Sequence, residues 1–393
     1  MKFGSNEDDR NTIVTGTLPT LPFDLVAEIF CRLPVKLLLQ LQCLGKSLKS
    51  LISDPKFTKK HLQFSKAFQH NHHLIVNIPG DIGKLIMKDC TIPSVFNAAM
   101  STSCIKPTKL RFPDILNTVS AYKLCVSSCD GILCFTCEYD TIAGHSVVLW
   151  NPSIRRFNMF PVMENPGKRV PHSTKYNFGY GHSTHTYKIV GVSFFPDKSN
   201  EVCCYTLGTD CWRRIQDLPY GSTSAVGVFA RGTINWLAYD SQSSSHNIVS
   251  LDLEKESYQK LLKPNLETDS WSLRESMDCL CIFARFEKFV DIWIMKRYDN
   301  EEPWSKLYRV PYMHDLAQLY HAPYLHDLDL NPNDDALYIT EDDQVLMYYR
   351  NLVQLMFTVY DSKSGTFNMS VPQDINGYFN PEVYVESLIS PCP

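Results

Sequence analysis

Leu149-Trp150-Asn151-Pro152-Ser153-Ile154-Arg155-Arg156-Phe157 sets two large aromatic side chains seven residues apart around a polar, proline-containing turn. The interval recurs: Tyr205 precedes Trp212, Leu251 precedes Tyr258, and Tyr360 precedes Phe367 at the same distance. Between them lie turn formers, Gly208-Thr209-Asp210, Glu254-Lys255-Glu256 and Asp361-Ser362-Lys363-Ser364-Gly365. Such spacing leaves two strand positions on each side of a two-residue turn centre, so each pair is expected to face across a hairpin. A longer copy joins Trp293 to Trp304 around Asp299-Asn300-Glu301-Glu302.

From His73 onward, short runs of Val, Ile, Tyr, Phe, Trp and Cys alternate with Asn, Asp, Gly, Pro and Ser, an all-β texture. The anchors are 55, 46, 42 and 67 residues apart, bracketing one propeller blade of roughly 40 to 50 residues. The expected fold is a small all-α N-terminal unit followed by a large all-β domain at 73–393, a six- or seven-bladed β-propeller whose closure protects its sheet edges. A large β-sandwich, or two smaller β domains, is the alternative.

The N-terminal part has another texture. Residues 1–17 are polar and aperiodic and read as a disordered arm. Phe23, Val26, Ile29, Phe30 and Leu33 recur at helical spacing, and Pro34 disfavours helix at the residue before it. Val35–Leu44 and Lys46–Ile52 follow with Gly45 as a junction, and Asp54-Pro55 stops the last segment, giving three short helices within 18–60 and a linker at 61–72. A unit this small cannot hide all of Leu21, Leu25, Leu33, Leu37, Leu38, Leu39, Leu41, Leu44, Leu48 and Leu51, so part of that surface should meet another protein.

Leu21-Pro22-Phe23-Asp24-Leu25-Val26-Ala27-Glu28-Ile29-Phe30-Cys31-Arg32-Leu33-Pro34-Val35-Lys36, continued through Cys43, Lys46-Ser47 and Leu51-Ile52-Ser53-Asp54-Pro55-Lys56-Phe57, resembles the F-box motif of plant F-box proteins. It departs from the family's pattern at Gln40, Leu41, Gln42 and Leu48, losing two cations and a tryptophan, changes expected to weaken adaptor affinity. Val126-Ser127-Ser128-Cys129-Asp130-Gly131-Ile132-Leu133-Cys134, Leu149 to Arg155, Phe178-Gly179-Tyr180, Tyr187-Lys188-Ile189-Val190 and Asn235-Trp236-Leu237 resemble the F-box associated, kelch-related domain. The resemblance implies a substrate receptor of a Skp–cullin–F-box ubiquitin ligase. Leu21, Pro22, Leu25, Ile29, Leu33, Pro34, Leu37 and Leu38 would contact the Skp-type adaptor, and through it the cullin–RING ligase. The propeller would hold a target protein that the sequence does not identify.

The composition bounds the size of the core and the class of partner. The 393 residues are 44% hydrophobic and 12% aromatic, enough for a large core, and 38 Lys+Arg against 42 Asp+Glu leave a balance of −4 without the basic footprint of a nucleic-acid binder. No signal peptide pattern and no membrane-length apolar run occurs, so a cytoplasmic or nuclear location is expected. No cofactor or metal is expected. Cys125, Cys129, Cys134 and Cys137 read as buried thiols, since residues three apart on a strand point to opposite faces; zinc binding is the lesser reading. His182 and His185 lie in a polar turn, and Glu341-Asp342-Asp343 reads as a hairpin turn. His314, His321 and His326 with Asp315 and Asp327 suggest a rim binding loop, and the candidate target loops are Glu164–Lys175, Ser241–Asn247 and Tyr312–His326. Neither a nucleophile elbow nor a phosphate-cradling loop is present. The rival reading is a propeller enzyme or carbohydrate-binding protein whose helices merely cap the sheets.

Overall fold

The computed structural model describes residues 22–79, 85–101, 103–111, 124–137, 145–161, 163, 169–219, 226–240, 245–296, 303–312, 336–350, 355–373 and 381–392. The arm at 1–17 and Leu21 lie outside them.

Three helices form where apolar periodicity places them: α1 (Phe23–Phe30), α2 (Val35–Leu41) and α3 (Lys46–Ile52), with Gly45 at the junction. A fourth, α4 (Pro55–Ala67), corrects the three-helix expectation and occupies part of the expected linker. Asp54-Pro55 does end α3, but it also begins α4. The Asp54 carboxylate accepts from the Lys56 N–H at 2.7 Å and the Phe57 N–H at 3.2 Å, and Pro55 sits where no N–H is needed.

Six antiparallel four-stranded sheets follow among the described residues, and they form a six-bladed propeller. Blade 1 holds β1 (His72–Pro79), β2 (Leu85–Thr91) and β3 (Thr108–Lys109), with α5 (Ile92–Met100) inserted before β3. Blade 2 holds β4 (Leu124–Cys129), β5 (Ile132–Cys137), β6 (His145–Asn151) and β7 (Arg156–Pro161). Blade 3 holds β8 (Ser173–Gly181), β9 (Thr186–Phe194), β10 (Asn200–Thr206) and β11 (Arg213–Arg214). Blade 4 holds β12 (Val228–Ala230), β13 (Thr233–Asp240), β14 (Ser245–Asp252) and β15 (Ser257–Leu261). Blade 5 holds β16 (Trp271–Ser276), β17 (Cys279–Arg285), β18 (Phe289–Met295) and β19 (Trp304–Pro311). Blade 6 holds β20 (Ala336–Ile339), β21 (Gln344–Arg350), β22 (Leu355–Asp361) and β23 (Thr366–Ser370). The last strand, β24 (Glu382–Val385), returns to blade 1 and pairs with β1, His72 opposite Val385 and Ile75 opposite Glu382. This pairing of the two ends of the propeller removes the open edge a linear stack would expose.

The anchor pairs meet as the spacing requires. Trp150 faces Phe157, Leu251 faces Tyr258 and Tyr360 faces Phe367. Tyr205 and Trp212 lie edge to face with ring centroids 5.4 Å apart. The turn centre, however, is four residues long rather than two. Asn151 pairs with Arg156, Asp252 with Ser257 and Asp361 with Thr366, and the fourth loop residue has positive φ: Arg155 at 56°, Glu256 at 52° and Gly365 at 68°. The side-chain oxygen of Asn151, Asp252 or Asp361 accepts loop N–H groups at 2.8–3.0 Å, a repeated Asx turn. The longer copy differs: a bulge at Ile292/Trp293 moves the register, so Trp304 faces Met295 and Trp293 faces Lys306. Its Asp299–Glu302 centre lies outside the described residues.

Candidate adaptor-binding surface and the two propeller faces

Cys31, Val35, Leu38, Ile52 and Phe57 form the core of the helical unit, joined by Leu388 from the far end of the chain. Outside that core, Phe23, Leu25, Ile29 and Leu37 keep between 45% and 53% of their surface exposed, and Leu44 keeps 74%. Pro22 and Pro34 are exposed as well. This apolar set belongs to α1, α2 and the turn after α2. Of the eight sequence-chosen contacts, Leu21 lies outside the described residues and Leu33 is half-buried against the core. Leu38 is a correction: it is fully buried inside the helical unit and presents nothing to a partner. One helical step separates it from Leu37, and the run Leu37-Leu38-Leu39 gave no signal for which member turned inward. Phe23 and Leu44 are exposed in the same segment outside the eight chosen positions; Leu44 belongs to the leucine set expected to face outward, and Phe23 does not.

Electrostatic and polar contacts tie the helices to the propeller. Lys66 of α4 pairs with Asp130 at 2.6 Å, and Asp130 also accepts from the Tyr187 hydroxyl at 2.9 Å. Burial works against the Lys66 cation, but the charge and hydrogen bond of Asp130 help to hold its pKa above the ordinary lysine value. His72 Nε2–H is shared between the Ser65 and Lys66 carbonyls at 3.1 Å each, while its Nδ1 accepts from the Tyr338 hydroxyl at 2.7 Å. His61 Nε2–H donates to the Leu33 carbonyl at 3.0 Å, and burial pushes this imidazole down in pKa.

Because strands alternate in direction, the β4–β5 turn at Asp130-Gly131 and the β6–β7 turn at Ser153-Ile154 lie at the same end of the propeller. The helices sit there: Lys66 reaches Asp130, and Ile154 packs on the helical core. The connections between blades emerge at the opposite end. Exposed Val170 and Leu262 lie at that end, just before β8 and just after β15. Of the candidate target loops, residues 164–168, 241–244 and 313–326 fall outside the described residues, while Ser173–Lys175 belongs to β8 and Ser245–Asn247 to β14. His314, His321, His326, Asp315 and Asp327 also fall outside.

The inner strands surround a cavity of about 1280 Å³, lined at the helical end by Gln63, Lys66 and Ala67 of α4. Glu275 and Glu382 reach into it. Glu275 stays exposed and Glu382 half-buried within the cavity, and the partial loss of solvation there raises the pKa of each to about 7. Glu275 accepts from the Asp278 N–H at 2.7 Å and Glu382 from the Ser128 N–H. This convergence of polar groups had no sequence signature, since it joins different blades. The cysteine cluster is divided among strands. Cys129 and Cys134 are buried in the core between blades 2 and 3, where Cys129 faces Ile132 and Cys134 faces Ser127. Cys203, Cys204, Cys279 and Cys281 are buried too, their thiols raised in pKa chiefly by desolvation. His182 and His185 occupy the exposed β8–β9 turn, His185 Nδ1 lying 3.2 Å from the Tyr180 hydroxyl, and Glu341-Asp342-Asp343 forms the β20–β21 turn.

Comparison with known proteins adds family information. Residues 18–60 match the F-box domain, and residues 84–391 match the F-box associated beta propeller domain. The chain is similar to the F-box/kelch-repeat protein At3g23880 of Arabidopsis thaliana, 28% identical over 387 residues that cover 94% of this chain and 96% of the relative. It is also similar to the F-box protein CPR1 of the same plant, 22% identical over 408 residues covering 95% and 90%. A helical unit with an exposed apolar ridge, followed by a six-bladed propeller closed by its C-terminal strand, places this chain in the family of F-box proteins with an F-box associated beta propeller domain.

Proposed function

We propose that this protein is the substrate-recognition subunit of a Skp–cullin–F-box ubiquitin ligase. Phe23, Leu25, Ile29, Leu37 and Leu44 dock on a Skp-type adaptor, and the end of the propeller away from the helices holds a target protein. The observation that carries the reading is the exposed apolar ridge on a helical unit that matches the F-box domain. The chain contributes positioning, and other subunits carry out the covalent steps. The opposed placement of the two surfaces suits that division, because it leaves the inter-blade loops clear of the adaptor.

Co-purification with a recombinant Skp-type adaptor tests the docking surface. Leu25→Asp and Leu37→Asp are the informative variants, since both side chains are exposed, whereas a charge at Leu33 would enter the helical core. Each is expected to weaken binding by about 30-fold, the magnitude of an interface hot spot, with an unchanged melting curve for the propeller. Wild-type affinity in the double variant would remove the ridge from the interface.

A further inference from the structure

The segment after β24 touches both the helical unit and the propeller. Leu388 is buried in the helical core beside Cys31, Val35, Leu38, Ile52 and Phe57. One residue pair earlier, the Glu386 carboxylate accepts from the Val35 N–H at 3.2 Å, at the first turn of α2, while the Glu386 N–H donates to the Asn71 carbonyl at 2.8 Å. On the propeller side, fully buried Asn151 donates from Nδ2 to the Ser387 carbonyl and hydroxyl, each at 3.0 Å, and to the Ile389 carbonyl at 2.8 Å. Gly131 comes so close that a Cβ there would stand 2.5 Å from both Ser387 Oγ and the Val385 carbonyl oxygen.

Asn151 is the informative residue. The equivalent loop positions in blades 4 and 6 are Asp252 and Asp361, because the Asx turn requires only an acceptor. Asn151 uses its oxygen in the same way, toward the Ser153 N–H at 2.9 Å, and spends its amide hydrogens on the tail. An aspartate here would keep the hairpin and lose the grip.

We propose that residues 386–389 are a strut that locks the adaptor-docking helices in one orientation on the propeller, with Asn151 and Leu388 as its positioning residues. The inference rests on the docking reading above for its purpose, but not for its test. The strut follows β24, the strand that closes blade 1, so the F-box core stays incomplete until that strand has been made. Only a fully assembled receptor then presents a fixed docking face.

Fluorophores placed at the exposed Lys36 and Lys260 positions of the full chain, through unnatural amino acids, report the distance between helices and blade 4. The native chain is expected to give one narrow distance population. Asn151→Asp should broaden it and raise amide exchange in α2 and α3 about tenfold while the blades exchange as before. Leu388→Ala should do the same and Leu388→Met should restore the native behaviour. A narrow population and native helix exchange in both Asn151→Asp and Leu388→Ala would overturn the strut. Both readouts work without adaptor, so a native chain that fails to bind adaptor would overturn the docking reading alone.

Discussion

At the scale of single residues, environment separates side chains that the sequence lists side by side. Leu37 and Leu38 are identical in chemistry, yet one is exposed and the other fully buried. Glu275 and Glu382 are raised in pKa because the protein around the cavity displaces part of their solvent. Their pKa values, raised to about 7 from the ordinary glutamate value of 4.5, mean that the native state holds protons the unfolded chain has released. Stability from these groups is therefore fully present below about pH 4.5 and falls as pH rises toward 7. Glu275→Gln and Glu382→Gln keep the oxygen that accepts from Asp278 or Ser128. They are expected to raise the melting temperature at pH 8 and leave it nearly unchanged at pH 4, read by circular dichroism. Equal melting of native and variant chains at pH 8 would contradict the sign. His73 acts in the same direction: burial opposes its charge, but the Asp89 hydrogen bond and the charges of Asp89 and Glu386 raise its pKa, so its contribution too is lost as pH climbs through the folded value.

At the scale of elements, the hairpin is the repeating unit, and its loops explain where glycine matters. Gly365 and Gly131 both have positive φ, 68° and 79°. Open space surrounds Gly365, so Gly365→Ala is expected to cost only the backbone penalty of about 1 kcal/mol. Gly131→Ala meets the tail as well, and the ring cannot yield there without moving Val385 and Ser387. Its loss in denaturant midpoint should exceed that of Gly365→Ala severalfold, and equal losses would show that the tail is not tightly held. Much of this level was legible in the sequence. A Trp150–Phe157 or Tyr360–Phe367 pair records a contact between residues seven apart, and turn formers mark where the chain reverses. The failures have physical causes too. The bulge at Ile292/Trp293 shifts the partner of Trp304 without leaving any compositional mark. The fourth helix was hidden because Asp-Pro is both a stop and a start signal, and because Lys59, Lys60 and Gln63 dilute the apolar stripe of α4.

At the scale of the whole molecule, the helical unit and the segment from β24 onward hold each other in place. β24 closes blade 1, and Leu388 completes the core of the helical unit. A fragment of residues 18–70 would lack Leu388 and Ile154 and leave Val35, Leu38 and Ile52 partly open to water. It is expected to show little cooperative unfolding by circular dichroism on its own and to gain helix only with excess adaptor. A sharp thermal transition in the isolated fragment would show that the tail is dispensable to the F-box fold.

Three of the four N-terminal helices, the hairpin repeat and the family were legible in the chain alone, because each is written in contacts between residues fewer than ten positions apart or in motifs of fixed spacing. The blade count, the inward turn of Leu38, the carboxyl-lined channel and the tail that binds Val35 to Glu386 across 351 positions emerge in the folded molecule alone. Such contacts depend on ring closure bringing distant segments together, and a contact of that range leaves no periodic trace in the chain that makes it.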